Sequence, residues 1–363
     1  MNFDLPESHR EIQRMVRELG ARRVAPFARA WDDDGRLPDD ILADIAAQGL
    51  LAVRVPYAHG GSGLDALALA IVVEELARHH GSLAYAVAAH NTLGVAHLLA
   101  ADGDALREGH LAAAASEDGL VAWLDDGVTA KRAGDGWTLH GAAPRVVLGA
   151  TAARVVVAAH TDQGPTAFVV ERAGLRVARR VDALGMRACE ASELVFEGCP
   201  VGDGARVGAV GAAGAAVVRV RTGHDVAMAA LAVGLGQGAL DAAVAYAKDR
   251  KQFGQPIASF QAIQLMLADA RVELDAARLL AQRAAATDDA GGDARAEAAA
   301  ARLYASEAGS RACSRALQVH GGYGYTREFP VERALRDVKV CELGDGGNAG
   351  RRAVVAAAAR ATA

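Results

Sequence analysis

A short polar block, Arg250-Lys251-Gln252-Phe253-Gly254-Gln255-Pro256-Ile257, carries residue types suited to gripping a phosphate-bearing ligand. A guanidinium is planar, permanently charged and able to give paired hydrogen bonds to a pyrophosphate. Gly254 and Pro256 let the backbone turn sharply beside it. A second block, Gln318-Val319-His320-Gly321-Gly322-Tyr323-Gly324-Tyr325, has adjacent glycines at 321 and 322. Without side chains there, a flat or bulky ligand can approach the backbone. Singly, each block has a plainer reading: a surface arginine at a helix end, and a turn. His79, His80 and His90 invite a metal reading, but no carboxylate or cysteine completes a cluster at ligand spacing. They are read as surface or packed histidines, and no metal is expected.

These blocks need elements to position them. Apolar residues at Phe260, Ile263, Leu267, Ala270, Leu274 and Ala277 alternate spacings of three and four, the seam of a helix packed in a bundle. Near the start, Leu5, Ile12, Met15, Val16 and Leu19 share a helical face, and Ile41, Leu42, Ile45 and Leu50 mark another helix. Glu74 and Glu75 read as a solvated helix face. From about residue 116 the period changes. Apolar runs at 119–124, 137–139, 146–148, 155–159, 167–170 and 194–196 are separated by turn signals such as Gly134-Asp135-Gly136, which predicts strands. Gly211 to Val218 reads as a loop feeding a helix from about His224 to Arg250. The expected organisation is a helical domain over 1–115, a β domain over 116–210 and a second helical domain over 211–363.

Composition narrows the function classes. The formal charge of −5 and the absence of a dense Lys/Arg patch argue against nucleic acid as partner. No basic-then-apolar leader and no apolar run of spanning length are apparent, so a cytoplasmic protein without a membrane partner is expected. Cys189, Cys199, Cys313 and Cys341 are scattered without close pairs, which predicts reduced core or surface thiols.

Taken together and in order, the blocks from Arg250 to Arg352 resemble the C-terminal domain of the acyl-CoA dehydrogenase family. They include Pro330-Val331-Glu332-Arg333, Arg336-Asp337 and Glu342-Leu343-Gly344-Asp345-Gly346-Gly347. The turn at Pro56 and Gly60-Gly61 and the helix at Glu74-Glu75-Leu76 resemble its N-terminal domain. Leu184-Gly185-Met186-Arg187 and Glu193-Leu194-Val195-Phe196-Glu197 resemble its closing β strands. The resemblance implies an α+β, acyl-CoA dehydrogenase-like fold: an N-terminal helical domain, a middle β domain and a C-terminal four-helix-bundle domain. It implies FAD as cofactor. Arg250, Gln252, Phe253, Gln318, Gly321 and Gly322 would hold the adenosine diphosphate part of a neighbouring subunit's FAD, with Gly347 counted among the cofactor-binding residues. A homodimer or homotetramer follows.

The resemblance also implies a reaction. A base removes the proton α to a thioester while hydride leaves the β carbon for flavin N5. The family's base is a Glu followed by Gly-Thr; here the position is Asp345, followed by Gly346-Gly347, a carboxylate one methylene shorter. Asp at this position is also found in the nitroalkane oxidase branch. Burial is expected to raise its pKa toward the working range. The flanking glycines, including Gly344, would loosen the loop and widen the pocket. His224 falls where isovaleryl-CoA dehydrogenase-like members carry an alternative catalytic Glu, although a plain helix-terminal role is equally open. Thr222 and Asp225 stand where the family has an Asp and an Arg. Two further departures concern the flavin ring and the substrate arm. Trp123-Leu124 passes to Asp125-Asp126-Gly127 with no acidic Gly/Ser-rich loop, and Ala143 replaces a usual Lys.

The expected function is therefore α,β-dehydrogenation of an acyl thioester on CoA or an acyl carrier protein, with electron-transferring flavoprotein as the implied acceptor. Two alternatives stand beside it. One is a non-catalytic or half-catalytic subunit of a hetero-oligomer that lends FAD contacts to its partner. The other is a flavin oxidase or monooxygenase of the same superfamily.

Overall fold

The computed structural model describes residues 4–100 and 105–361. Its first part is helical: α1 (Glu7–Leu19), α2 (Ala28–Asp34), α3 (Asp39–Ala47), α4 (Ala66–Ala77), α5 (Gly81–Ala89), α6 (Ala96–Ala100) and α7 (Ala105–Ala114). A π turn at His90–Val95 joins α5 to α6. The α4 N-terminus is capped twice. Asp65 accepts the Ala68 N–H at 2.7 Å, and Asp289, from far along the chain, accepts those of Ala66 and Leu67. Carboxylates at orphan N–H groups also favour the helix dipole.

Strands follow: β1 (Val121–Leu124), β2 (Val128–Ala133), β3 (Gly136–Val147), β4 (Arg154–Thr161), β5 (Gly164–Glu171), β6 (Arg176–Arg180), β7 (Ala191–Gly202) and β8 (Arg206–Val207). They form one sheet in the order β6-β7-β3-β2-β4-β5-β8, with β1 added parallel to β4. The runs expected at 137–139 and 146–148 are one strand, β3. It bends through register shifts against β7 after Leu139 and Ala143, which kept its apolar residues from alternating cleanly.

The remainder is a helical bundle: α8 (Ala213–Asp249), α9 (Gln261–Asp289), α10 (Arg295–His320), α11 (Val331–Leu343) and α12 (Gly347–Ala361). A small hairpin of β9 (Lys251–Gln252) and β10 (Gln255–Pro256) separates α8 from α9. Of the loop expected at 211–218, only Gly211 and Ala212 precede the helix; 213–218 are the first turns of α8. Alanines there favour helix, and nothing in the run breaks it. α8 packs so close to α4 that a Cβ on Gly234 or Gly238 would lie 2.2 Å from the carbonyl oxygens of Glu74 or Arg78.

Two expectations about polarity are overturned. Glu74 and Glu75 are buried, Glu75 at 1% exposure. Arg278 reaches Glu74, and Arg17 and Arg78 reach Glu75, so α4 faces protein on both sides and its acids are paired inside. Two stretches, Gly81–Ala100 and Ala213–Asp249, do reach the length and apolarity of a membrane span. They are 78% and 83% buried in the fold, so their apolar surface is taken up by packing. Cys189, Cys199, Cys313 and Cys341 are all buried and unpaired.

The β domain is pinned to the bundle where two sequence blocks meet. Met186 donates its N–H to Asp337 Oδ1 at 2.6 Å, and Arg336 Nη1 donates to the Leu184 carbonyl. Gly185 has no room for a side chain: a Cβ would lie 2.4 Å from the Arg336 carbonyl oxygen. Gly185→Ala is therefore expected to cost about 1–3 kcal/mol, read as an earlier midpoint in denaturant unfolding. Gly204→Ala, whose Cβ meets open space, should leave the midpoint unchanged.

Candidate active site

The α11–α12 connection, 344–346, lies at the centre of the site. Asp345 has φ 53°, and Gly346 and Gly347 follow at 85° and 62°. Three successive left-handed residues turn the chain sharply. Only Gly adopts this region freely, so a held aspartate there marks local strain of the kind found at functional sites. Asp345 lines two adjoining clefts between the β domain and the helices, of about 600 and 530 Å³. Arg145, Val147 and Val181 line both as well.

Behind the loop lies a buried charge cluster. Arg302 on α10 is 0% exposed. Its Nε donates to the Cys341 carbonyl at 3.2 Å and its Nη2 to the Gly344 carbonyl at 2.9 Å. Its Nη1 donates to Asp225 Oδ1 at 2.8 Å, and both Nη atoms reach Asp345 Oδ2, at 3.4 and 3.3 Å. Arg351 on α12 grips Asp225 from the other side at 2.6 Å and also donates to the Asp345 carbonyl. The side-chain contacts of Asp345 run to Oδ2; among the described residues Oδ1 has none.

His224 on α8 completes the group. Thr92 Oγ1 donates to the Ala88 carbonyl at 2.6 Å, so its contact with His224 Nδ1 at 2.8 Å is one it accepts. That places a proton on Nδ1 and turns Nε2 toward Asp345 Oδ2 at 3.4 Å. Nε2 has no aligned hydrogen bond there.

Electrostatics correct one expectation. The Asp345 side chain keeps 38% exposure, so the expected burial is only partial; desolvation still presses its pKa upward, but the His224 contact and the charges of His224, Arg302 and Arg351 outweigh it and hold the carboxyl well below the usual carboxylate range. The sequence argument counted burial and omitted the cations.

The site's outer wall is short. Only Asp125, Asp126 and Gly127 link β1 to β2. Arg221 grips Asp125 at 2.7 and 2.8 Å, and its guanidinium lies 5.9 Å from the Trp123 ring centre. Ala143 and Arg145 form the facing wall.

The other sequence-predicted residues sit elsewhere. Arg250, Gln252, Gly321 and Gly322 line an open cleft of about 500 Å³ at the far end of α8. Gln318 is exposed nearby on α10. Cβ atoms on Gly321 or Gly322 would meet open space. Phe253 is 93% exposed with φ 50°, in a two-residue hairpin turn that normally takes Asn or Gly. A guanidinium, an amide, a bare backbone and a displayed aromatic ring fit a nucleotide diphosphate presented from outside the chain. His224 and the α8 C-cap Arg250 stand 26 positions apart, about 40 Å at 1.5 Å per residue. That exceeds what one dinucleotide bridges, so the far cleft and the Asp345 site of one chain cannot share a single cofactor. Gly347 stays with Asp345, its carbonyl accepting from Arg351.

Of the histidines considered for metal, His80 caps α5 and His90 bonds the Ala114 carbonyl and the Val121 N–H. Sequence reasoning missed Arg302 and Arg351. The available signal for Arg302 was a charge within the buried stripe Ala298, Ala301, Ala305, Ala308 of α10.

Comparison with known proteins follows the same lines. The family model for the acyl-CoA dehydrogenase N-terminal domain matches residues 6–118, and that for the C-terminal domain matches 214–359. The chain is 36% identical to the probable acyl-CoA dehydrogenase FadE25 of Mycobacterium tuberculosis, covering 98% of this chain and 96% of that protein. It is 33% identical to the human mitochondrial short-chain specific acyl-CoA dehydrogenase, covering 98% and 90%. The structure of butyryl-CoA dehydrogenase from Megasphaera elsdenii superposes with a TM-score of 0.95 at 28% identity, over 99% of this chain and 100% of that one.

The depressed Asp345 pKa has a thermodynamic sign. A carboxyl held low in the folded state stabilises it above the ordinary aspartate value, about 4, and that contribution is lost as pH falls from there toward the folded value. The gap in melting temperature between wild type and Asp345→Asn should therefore narrow as pH is lowered from about 5 to 3. A gap independent of pH would show that the cations do not act on Asp345.

Proposed function

The chain belongs to the acyl-CoA dehydrogenase family, and from that premise we propose that it is an FAD-dependent dehydrogenase of acyl thioesters with Asp345 as its base. The observation that carries this reading is the placement of Asp345 on the wall common to two clefts, with Oδ2 tethered and Oδ1 free. FAD, when bound, supplies the acceptor for the hydride leaving the substrate's β carbon. Asp345 Oδ1 takes the proton α to the thioester. Because the cations keep the carboxyl ionised through the neutral range, the base is always available but intrinsically weak. His224 Nε2, facing the same carboxylate, is placed to favour its ionised form. Trp123, held by its Nε1–H to His97 Nδ1 at 3.1 Å, closes the side where the linker is short.

The thioester arm is that of CoA or of an acyl carrier protein. Arg145 lines both clefts and has no carboxylate partner among the described residues, so it is available to an anionic part of either carrier. The exposed set Arg250, Gln252, Phe253, Gln318, Gly321 and Gly322 lends contacts to a neighbouring subunit's FAD, which makes the working unit a homodimer or homotetramer. Electron-transferring flavoprotein is the proposed acceptor, and a cytoplasmic setting accords with four unpaired thiols.

A second reading is favoured by the asymmetry between a fully displayed lending surface and a shortened β1–β2 wall. In it, the chain is the cofactor-lending partner in a hetero-oligomer. Expression of the chain alone separates the two: a yellow homo-oligomer supports the first, a colourless protein that turns yellow only with a second dehydrogenase-like chain supports the other.

Anaerobic titration of the yellow protein with a panel of acyl-CoA and acyl-carrier-protein thioesters should bleach the flavin. Asp345→Asn is expected to keep FAD and lose bleaching by at least a hundredfold, in line with removal of a general base, worth about 10²–10⁴. Unchanged bleaching would overturn the assignment. Arg250→Ala should instead lower FAD content at equal protein, because it removes a charge-assisted grip on the diphosphate.

A further inference from the structure

The group that positions Asp345 comes from α10, far from the catalytic loop in sequence. We propose that Arg302 is a positioning residue which, with Asp225 and Arg351, clamps the 344–347 loop so that only Asp345 Oδ1 is offered to substrate; this rests on Asp345 being the base.

Four observations carry it. First, Arg302 is wholly buried, and each of its three guanidinium nitrogens has a partner at the site: the Cys341 and Gly344 carbonyls, Asp225 and Asp345. Two of those partners are backbone carbonyls at the end of α11, so the guanidinium fixes the chain itself as well as the side chain. Its planar fork suits this arrangement; a lysine offers one nitrogen. Second, Gly344 has no room for a side chain, since a Cβ there would lie 2.8 Å from the Val340 carbonyl oxygen, and its own carbonyl accepts from Arg302 Nη2. Third, Asp225 is shared. It accepts from Arg302 at 2.8 Å and from Arg351 at 2.6 Å, so it competes with Asp345 for positive charge. Two arginines and two aspartates balance, and a buried cluster is tolerable only when so balanced. Fourth, both cationic anchors hold the strained loop by its backbone, through the Gly344, Asp345 and Gly347 carbonyls, Arg302 from behind both clefts and Arg351 from the wall of the 530 Å³ one.

The clamp has opposite consequences for its members. Removing the Arg302 charge frees the loop and lets the Asp345 pKa rise. Removing Asp225 leaves both arginines to Asp345 and deepens its ion pairing. A role in folding alone would not move the pH dependence in opposite directions.

The test uses full-length, FAD-loaded protein and two readouts: anaerobic flavin reduction by butyryl-CoA from pH 5 to 9, and melting temperature from pH 3 to 7, which needs no turnover. Arg302→Gln is expected to slow reduction on the order of a hundredfold, as for about 1 Å of misplacement. It should also create an acid limb absent from wild type, and bring the closing of the melting gap between Arg302→Gln and Arg302→Gln/Asp345→Asn up into the pH 3–7 range, where the wild-type pair still differs. Arg302→Lys should recover part of the rate without the acid limb. Asp225→Asn should slow reduction at every pH without an acid limb, and keep the melting gap to Asp225→Asn/Asp345→Asn open down to pH 3. Should Arg302→Gln not fold, Arg351→Gln, which loosens the same loop, should show the acid limb and the upward melting shift more weakly.

Equal slowing at all pH in the glutamine variant, with an unshifted melting gap, would overturn the clamp. If butyryl-CoA fails to reduce the wild type, the melting series decides alone by the same shifts. Wild-type reduction by Asp345→Asn, with the melting shifts as expected, would overturn the base assignment while leaving the electrostatic clamp intact.

Discussion

A buried guanidinium is the constraint from which much of the site follows. Arg302 sits among the alanines of α10 with no access to water. An uncompensated charge in such a place costs several kcal/mol, and removing one partner of a buried pair typically costs about 3–5 kcal/mol. The surrounding elements are therefore obliged to supply oxygen atoms. α8 supplies Asp225, the end of α11 supplies two carbonyls, the loop supplies Asp345, and α12 brings Arg351 to balance the second aspartate. Five parts of the bundle thereby acquire a fixed relation to one carboxylate. The arrangement exchanges basicity for placement: the carboxylate is held ionised and oriented, at the expense of proton affinity.

The β domain reaches that carboxylate through a second joint. Asp337 is buried, its pKa pushed up to about 6 by burial in spite of the Met186 N–H it accepts. The close approach at Gly185 lets the 184–187 turn lie directly on α11. α11 ends in the 344–346 loop, so the same helix that receives the β domain also delivers Asp345. The clefts on either side are the space left between a sheet held at one point and a bundle locked by charge.

α8 separates two kinds of chemistry. Its first half carries His224 and Asp225 beside the 344–346 loop; its C-terminus leads into Arg250 and the hairpin that displays Phe253. Glycines on its α4 face allow backbone contact with that helix. With about 40 Å between His224 and Arg250, reciprocal use of two chains is the economical way for both surfaces to meet one dinucleotide.

Much of the architecture was legible in sequence because it depends on local pattern. The three-and-four spacing from Phe260 to Ala277 is a property of α9 itself, and the change to short apolar runs after residue 116 is a property of strands. The blocks around Arg250, Gly321-Gly322 and Asp345 were recognisable because residue type and order are preserved together. What sequence could not supply was the company each residue keeps. Glu74 and Glu75 look like a solvated face until Arg17, Arg78 and Arg278 arrive from other helices. Asp345 looks like a carboxyl to be raised by burial until Arg302, 43 positions earlier, and His224, from α8, are brought against it. Electrostatic energy depends on distance in space and on the dielectric between charges, and neither is a function of separation along the chain. Sequence alone determined the elements and the inventory of groups; the tertiary structure decided which charges meet, and hence how basic the candidate base can be.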